Sequence, residues 1–296
     1  MENVTSVTEF ILAGFPNIHE VKILFLLIYL VSVLGNALVI VLVYTDCRLH
    51  SPMYHFLSNL SFRELSRTSS VVPKMLANFL SEKKNISFAG CFSQLFSFCM
   101  GATEFILFAV MSYDQYVAVC NPLRYPNIMT SKVCSKLFWG SWVGGFVMIL
   151  SSLVLKAWLP YCGPNVTDHY FCDSAPLLHL ACADIQLIEW IDFVVSLVLL
   201  LGSLALTVLS YAYINSAICQ IPLAQGRQKA FANCASHFTV FPLGFGISIF
   251  VYARPSQMTS VHLNKILSVL SSIQIKEALK NALHKGLVMT KMAEKP

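Results

Sequence analysis

Ile23 to Val43 is a run of 21 residues without a charge. As a helix rising about 1.5 Å per residue it crosses the roughly 30 Å hydrocarbon core of a bilayer. Similar runs recur along the chain. Leu137 to Leu155 is 19 uncharged residues, and Phe193 to Gly226 carries no charge at all. Phe231 to Ala253 is uncharged apart from His237, and between Cys91 and Asp114 the only charge is Glu104. Only 12% of the 296 residues are charged and 56% are hydrophobic. Soluble domains carry roughly 25% charged residues, so this chain cannot clothe a water-facing surface. The net charge of +5 lies in short clusters between the apolar runs. That pattern marks membrane flanks and argues against a nucleic-acid groove.

The expected architecture is an all-α membrane protein with six full spans and a shortened seventh. The spans are about 23–43, 52–80, 91–120, 133–159, 188–219, 229–253 and 260–275. Residues 1–22 precede the bundle and 276–296 follow it. The second span carries Arg63, Glu64, Arg67 and Lys74. A mid-membrane arginine costs about 2.5–3.5 kcal/mol on insertion scales. Glu64 and Arg67 are three apart, and Arg63 and Arg67 four apart, so these side chains can neighbour one another on a helix. Asn36, inside the first span, should face other helices rather than lipid. Pro242 removes a backbone bond from the sixth span and should kink it. In the seventh, ten residues separate Lys265 from Lys276. They cover about 15 Å, half a bilayer.

Met1 to Pro16 lack a basic n-region and a continuous apolar core, so the first apolar run is expected to act as a signal-anchor. No P-loop, zinc motif with CxxC spacing, nucleophile elbow, internal repeat or low-complexity stretch is present. Enzyme activity therefore has no supporting constellation. A transporter or channel would need a polar path or ring of charge, which two buried acids do not make. Sequons at Asn3, Asn85 and Asn165 fall on one face when the spans alternate. Arg48, Arg124, Lys132, Lys136, Arg227 and Lys229 fall on the other. The positive-inside rule makes the sequon face, with the N-terminus, extracellular. Of the ten cysteines, Cys91, Cys162, Cys172 and Cys182 lie on that outer face, where disulfides persist, with three pairings open. Cys47, Cys99, Cys120, Cys134, Cys219 and Cys234 read as packing residues.

Met111 to Tyr125 reads MSYDQYVAVCNPLRY, and Pro52 to Ser61 reads PMYHFLSNLS. Lys229 to His237 reads KAFANCASH. These segments resemble the signatures of odorant receptors, a branch of the rhodopsin-like G-protein-coupled receptors, along nearly the whole chain. Two departures stand out. Gln115 replaces the arginine of the family's M-A-Y-D-R-Y-V-A-I-C, and the P-x-x-N-P-x-x-x-Y segment of the seventh helix is missing before IQIKEALKNAL. In that last stretch Ile275, Leu279 and Leu283 share a stripe, with Lys276, Lys280 and Lys285 elsewhere, which suits an interfacial helix on the cytoplasmic leaflet.

The resemblance implies a plasma-membrane receptor for small volatile molecules that activates a heterotrimeric G protein of the olfactory stimulatory type. It selects the pairings Cys91–Cys172 and Cys162–Cys182. It places ligand contacts at Phe98, Gly101, Ala102 and Phe105 in the third helix. Further contacts fall at Val195, Ser196, Leu199 and Leu200 in the fifth, and at Phe245, Ser248, Ile249 and Tyr252 in the sixth. The Cys91-to-Asp114 interval is one residue shorter than the family pattern, which leaves the register above Gly101 open. Phe245 stands where the family has tyrosine, implying a more apolar pocket floor. Asp114, Gln115, Tyr116, Tyr211, Lys229 and His237 form the cytoplasmic switch. Gln115 has no charge and cannot form the arginine–aspartate pair. Glu64 and Glu104 are buried acids, with two readings open: a weakened sodium site, or carboxyls protonated in low dielectric. No other cofactor is expected. The competing reading is a receptor-derived protein retained inside the cell, without signalling, for want of the arginine and the seventh-helix core.

Overall fold

The computed structural model describes residues 8–13, 19–81, 83–162, 165–167 and 169–220. Residues 221–296, which include the sixth and seventh expected spans and the tail, lie outside the described residues. Helix α1 runs His19–Thr45, and a short 3₁₀ turn at Cys47–Leu49 leads to α2, Pro52–Leu80. Then come α3, Phe88–Cys99, and α4, Ala102–Cys120. A one-turn helix α5, Tyr125–Ile128, precedes α6, Ser131–Trp158. After the small loop helix α7, Ser174–Leu178, comes α8, Gln186–Cys219.

Among the described residues four segments are long and apolar enough to cross a membrane: Phe25–Thr45, Phe88–Cys120, Ser131–Trp158 and Gln186–Cys219. Their large apolar side chains stay exposed around much of the surface, for example Leu27, Val31 and Leu34 on α1 and Leu197, Leu201 and Leu209 on α8. A helix apolar on its outside as well as its inside needs lipid, not water, as its solvent. The chain is a multi-pass membrane protein. Helix α2 is 29 residues long and falls outside those four because its charges interrupt it.

The third expected span is not one helix. Gly101 N–H donates to the Phe98 carbonyl, and Thr103 N–H to that of Met100. These i→i+3 bonds tighten one turn between α3 and α4.

The expectation of an all-α chain needs one correction. Three short strands form a sheet at one end of the bundle. Strand β1, Glu9–Leu12, lies at its centre, antiparallel to β2, Asn85–Ser87, and parallel to β3, Val166–Thr167. The alternation of β1 explains it: Phe10 and Leu12 are buried while Glu9 and Ile11 face out. Phe10 and Leu12 cap a cluster with Ile86, Cys91, Leu95, Tyr161, Cys172 and Leu177.

The main core sits toward the opposite end. There α4 packs on α8 and α1 on α2, around Val43, Phe56, Leu60, Leu107, Met111, Val117, Ile214 and Ile218. Gly145 lets α6 approach α4: a Cβ there would collide with the side chain and backbone of Thr103.

Candidate functional site

At the sheet end two disulfides are formed, Cys91–Cys172 and Cys162–Cys182. The first ties the loop after α6 to the start of α3. Gln94, one turn further on, reinforces it by accepting from Cys172 N–H at 3.1 Å and donating to the Ser70 carbonyl at 3.0 Å. The chain thus lays its long loop across α2 and α3.

A second polar assembly lies beside it, and sequence reasoning missed it. Lys156, on the last turn of α6, is only 1% exposed. Its Nζ donates to Ser152 Oγ and to Asp192 Oδ2 of α8, each at 2.7 Å. Ser152 also donates to the Asp192 carboxylate, and Ser174 of the loop helix joins at 2.9 Å. Tyr161 donates its hydroxyl to the Lys156 carbonyl at 2.7 Å. Three segments therefore meet on one buried charge pair. The available signal was that Lys156 and Asp192 each border the outer end of an apolar run.

The expected ligand residues do not share one wall. Phe98 lies tilted against Phe171 with ring centroids 5.4 Å apart and packs against the Met75 and Phe79 cluster of α2. Ala102 shares a buried cluster with Met100 and Ile149, against which Leu199 packs. Phe105 and Leu200 belong to the main core. Gly101 occupies the tightened turn, 3.5 Å from Arg63 Nη2 as measured from an added Cβ. Val195 and Ser196 are half-buried on α8. The turn at Met100–Gly101 lies between Phe98 on α3 and Ala102 on α4. Phe245, Ser248, Ile249 and Tyr252 lie outside the described residues.

Three of the four charges of α2 enter two ion pairs. Glu64 accepts from Arg67 Nη2 on both oxygens, at 2.9 and 3.0 Å. Arg63 turns instead to α4, where its Nε lies 3.7 Å from Glu104 Oε1. Arg63, Glu64, Arg67 and Glu104 are close enough to act on one another. Each acid thus lies beside a guanidinium. No metal-ligand cluster occurs among the described residues.

At the other end, Asp114 Oδ1 accepts from the Tyr125 hydroxyl at 2.8 Å. Burial foremost, and then the negative Asp114 beside it, push the Tyr125 phenol well above its ordinary pKa of 10, so it stays a donor at neutral pH. Gln115 Nε2 donates to Met53 Sδ of α2 at 3.0 Å. Tyr116 packs on Tyr213 of α8, and Tyr211 is buried in the main core. Lys229 and His237 lie outside the described residues. Of the sequons, Asn85 sits in β2 with its Nδ2 donating to Glu9 Oε2 at 2.8 Å. Asn165 sits at a positive φ of 50°, and Asn3 lies outside the described residues.

The sequence profile of one family, described as olfactory receptor, matches residues 25–278. The chain belongs to the olfactory receptor family. It is similar to olfactory receptor 6S1 of Homo sapiens, 45% identical over 94% of this chain and 90% of that protein. Olfactory receptor 6T1 of Homo sapiens is 49% identical over 92% of this chain and 86% of its own length. Olfactory receptor 226 of Rattus norvegicus is 42% identical over 94% of this chain and 92% of its own length. This olfactory receptor is a G-protein-coupled receptor of the odorant-binding type and not an enzyme.

Proposed function

We propose that this receptor sits in the plasma membrane with its N-terminus outside. It takes small volatile molecules into a dry pocket in the outer half of the bundle and activates an olfactory-type stimulatory G protein from its inner face. The observation that carries the proposal is a family match running through residues 25–278, which takes in both ends of the bundle. The meeting of Ala102 on α4 with Leu199 on α8 supports a pocket between the third and fifth helices, completed by Phe245, Ser248, Ile249 and Tyr252. Such a pocket is mostly apolar, as the ligand class requires. The inner switch combines Asp114, Gln115, Tyr116 and Tyr211 with Lys229 and His237.

The chain crosses the membrane seven times in this reading. The last crossing is short, about 260–275, and leaves residues 276–296 in the cytosol. Asn3, farthest from the membrane, is the preferred glycan acceptor. A C-terminal epitope should stain only in permeabilised cells; staining of intact cells would remove the seventh crossing.

The functional test is cAMP accumulation, in cells that display the receptor at the surface, against a broad odorant panel. A concentration-dependent rise with at least one volatile is expected. A receptor that reaches the surface and stays silent to the whole panel would instead be the non-signalling form. Gln115→Arg should lower basal cAMP about ten-fold, because a charged hydrogen bond to Asp114, worth about 1.5–3 kcal/mol, holds the resting switch closed.

A further inference from the structure

A cavity of about 540 Å³ lies between α2, α3 and α6 and borders the Ala102–Leu199 cluster at Met100. Arg63, Ser66, Ser97, Trp142 and Phe146 are among its lining residues, and no residue of α8 is. Phe96, Val143 and Phe146 are exposed in mid-helix, so the mouth opens sideways to hydrocarbon. Arg63 stands about 17 Å along α2 from Pro52 and about 26 Å from Leu80 at 1.5 Å per residue. That depth lies beyond the reach of a phospholipid headgroup.

The wall holds donors without acceptors. Arg63 Nη1, Trp142 Nε1 and Ser97 Oγ are buried with no hydrogen-bond partner among the described residues, and Arg63 Nε and Glu104 Oε1, 3.7 Å apart, form an ion pair too long for a hydrogen bond. The Arg63 side chain is 2% exposed, and its remaining nitrogen, Nη2, reaches the Phe98 carbonyl at 3.3 Å. Guanidinium and indole nitrogens can only donate. A complementary occupant must therefore bring an acceptor. It need not bring a charge: Arg63 is balanced by Glu104 and Arg67 by Glu64, so an anion would lose its hydration for little return.

We propose that this cavity is a second, lipid-facing binding site for an uncharged lipophile bearing one acceptor oxygen, such as a ketone or ester, which enters laterally from the bilayer. Arg63, Trp142 and Ser97 hold the oxygen by small rotations of their side chains, and the aromatic mouth holds the chain.

The test is photo-crosslinking of the receptor in lipid nanodiscs with a long-chain methyl ketone carrying a diazirine. An alkane of equal length and the matching carboxylate, each with the same diazirine, are the comparison probes. Labelled residues are mapped by peptide mass spectrometry. The ketone should label residues 66–70, 93–100 and 139–146 about five-fold more than the alkane does, the size of one hydrogen bond. Ser66→Phe should fill the cavity and abolish that labelling. Arg63→Met should bring ketone labelling down to the alkane level. If that variant does not fold, Trp142→Phe keeps the ring and drops one donor, and should lower the ketone-to-alkane ratio. Equal labelling by ketone and alkane would overturn the proposal, as would stronger labelling by the carboxylate or insensitivity to Ser66→Phe. The readout is chemical and independent of whether the receptor signals.

Discussion

The two ends of the bundle are held by different forces. At the sheet end, two disulfides, a three-stranded sheet and the Lys156–Asp192 network tie loop to helix. At the Asp114 end, an apolar cluster spanning α1, α2, α4 and α8 does most of the work, with the Asp114–Tyr125 and Gln115–Met53 bonds beside it. Covalent and charged bonds are directional and break discretely. Apolar packing is non-directional, and one packing can be exchanged for another at modest cost. A receptor gains from that asymmetry. Under the proposed function the sheet end serves as a roof over the ligand, and the other end is the part that a ligand rearranges.

The largest expected effect comes from breaking the roof. Cys91→Ser opens a bond between residues 81 apart in sequence, and Cys162→Ser one between residues 20 apart. Chain-entropy reasoning gives losses of about 4.5 and about 3.3 kcal/mol. Surface staining should fall to background for Cys91→Ser and less far for Cys162→Ser. The reverse order would show that the asymmetry is not built on that bond.

Next comes Asp192→Asn, which leaves the Lys156 ammonium buried without its counter-charge. Breaking one partner of a buried pair costs about 3–5 kcal/mol, and the partial exposure of Asp192 places this case at the lower edge. The thermal midpoint of detergent-solubilised receptor should drop, and the double change Lys156→Met with Asp192→Leu should restore most of it. A double variant as unstable as the single one would contradict the pairing.

Smaller still is Tyr125→Phe, which removes the donor from Asp114. A hydrogen bond to a charged group is worth about 1.5 kcal/mol or more, so the switch should shift roughly ten-fold. Basal cAMP should rise without loss of surface receptor, and unchanged basal cAMP would take this bond out of the switch. Smallest is Phe245→Tyr, which adds one hydroxyl to the proposed pocket floor. Odorants with an acceptor oxygen should gain about five-fold, the size of one neutral hydrogen bond. A gain confined to purely apolar odorants would count against that placement.

The same asymmetry governs what the sequence could reveal. Uncharged runs near 20 residues long announce membrane helices because length and hydropathy are local properties. The signature around Asp114 and the spacing of Glu64 to Arg67 were legible for the same reason. The sheet was not, because β1 has only four residues and its partners lie some 75 and 155 positions away. The reach of Arg63 across to Glu104 on α4 was not legible, since a contact between helices leaves no local spacing. Between Phe98 and Ala102 lies the tightened turn at Met100–Gly101, which no helical periodicity carries. The Lys156–Asp192 pair was not legible because it is purely tertiary.

Amide hydrogen exchange of the receptor in nanodiscs, with and without an activating odorant, tests the division most directly. Ligand should slow exchange around 98–105 and 195–200, leave 165–182 protected in both states, and speed exchange across 114–129. Faster exchange in 165–182 on ligand binding, with 114–129 unchanged, would contradict a fixed roof above a movable inner end.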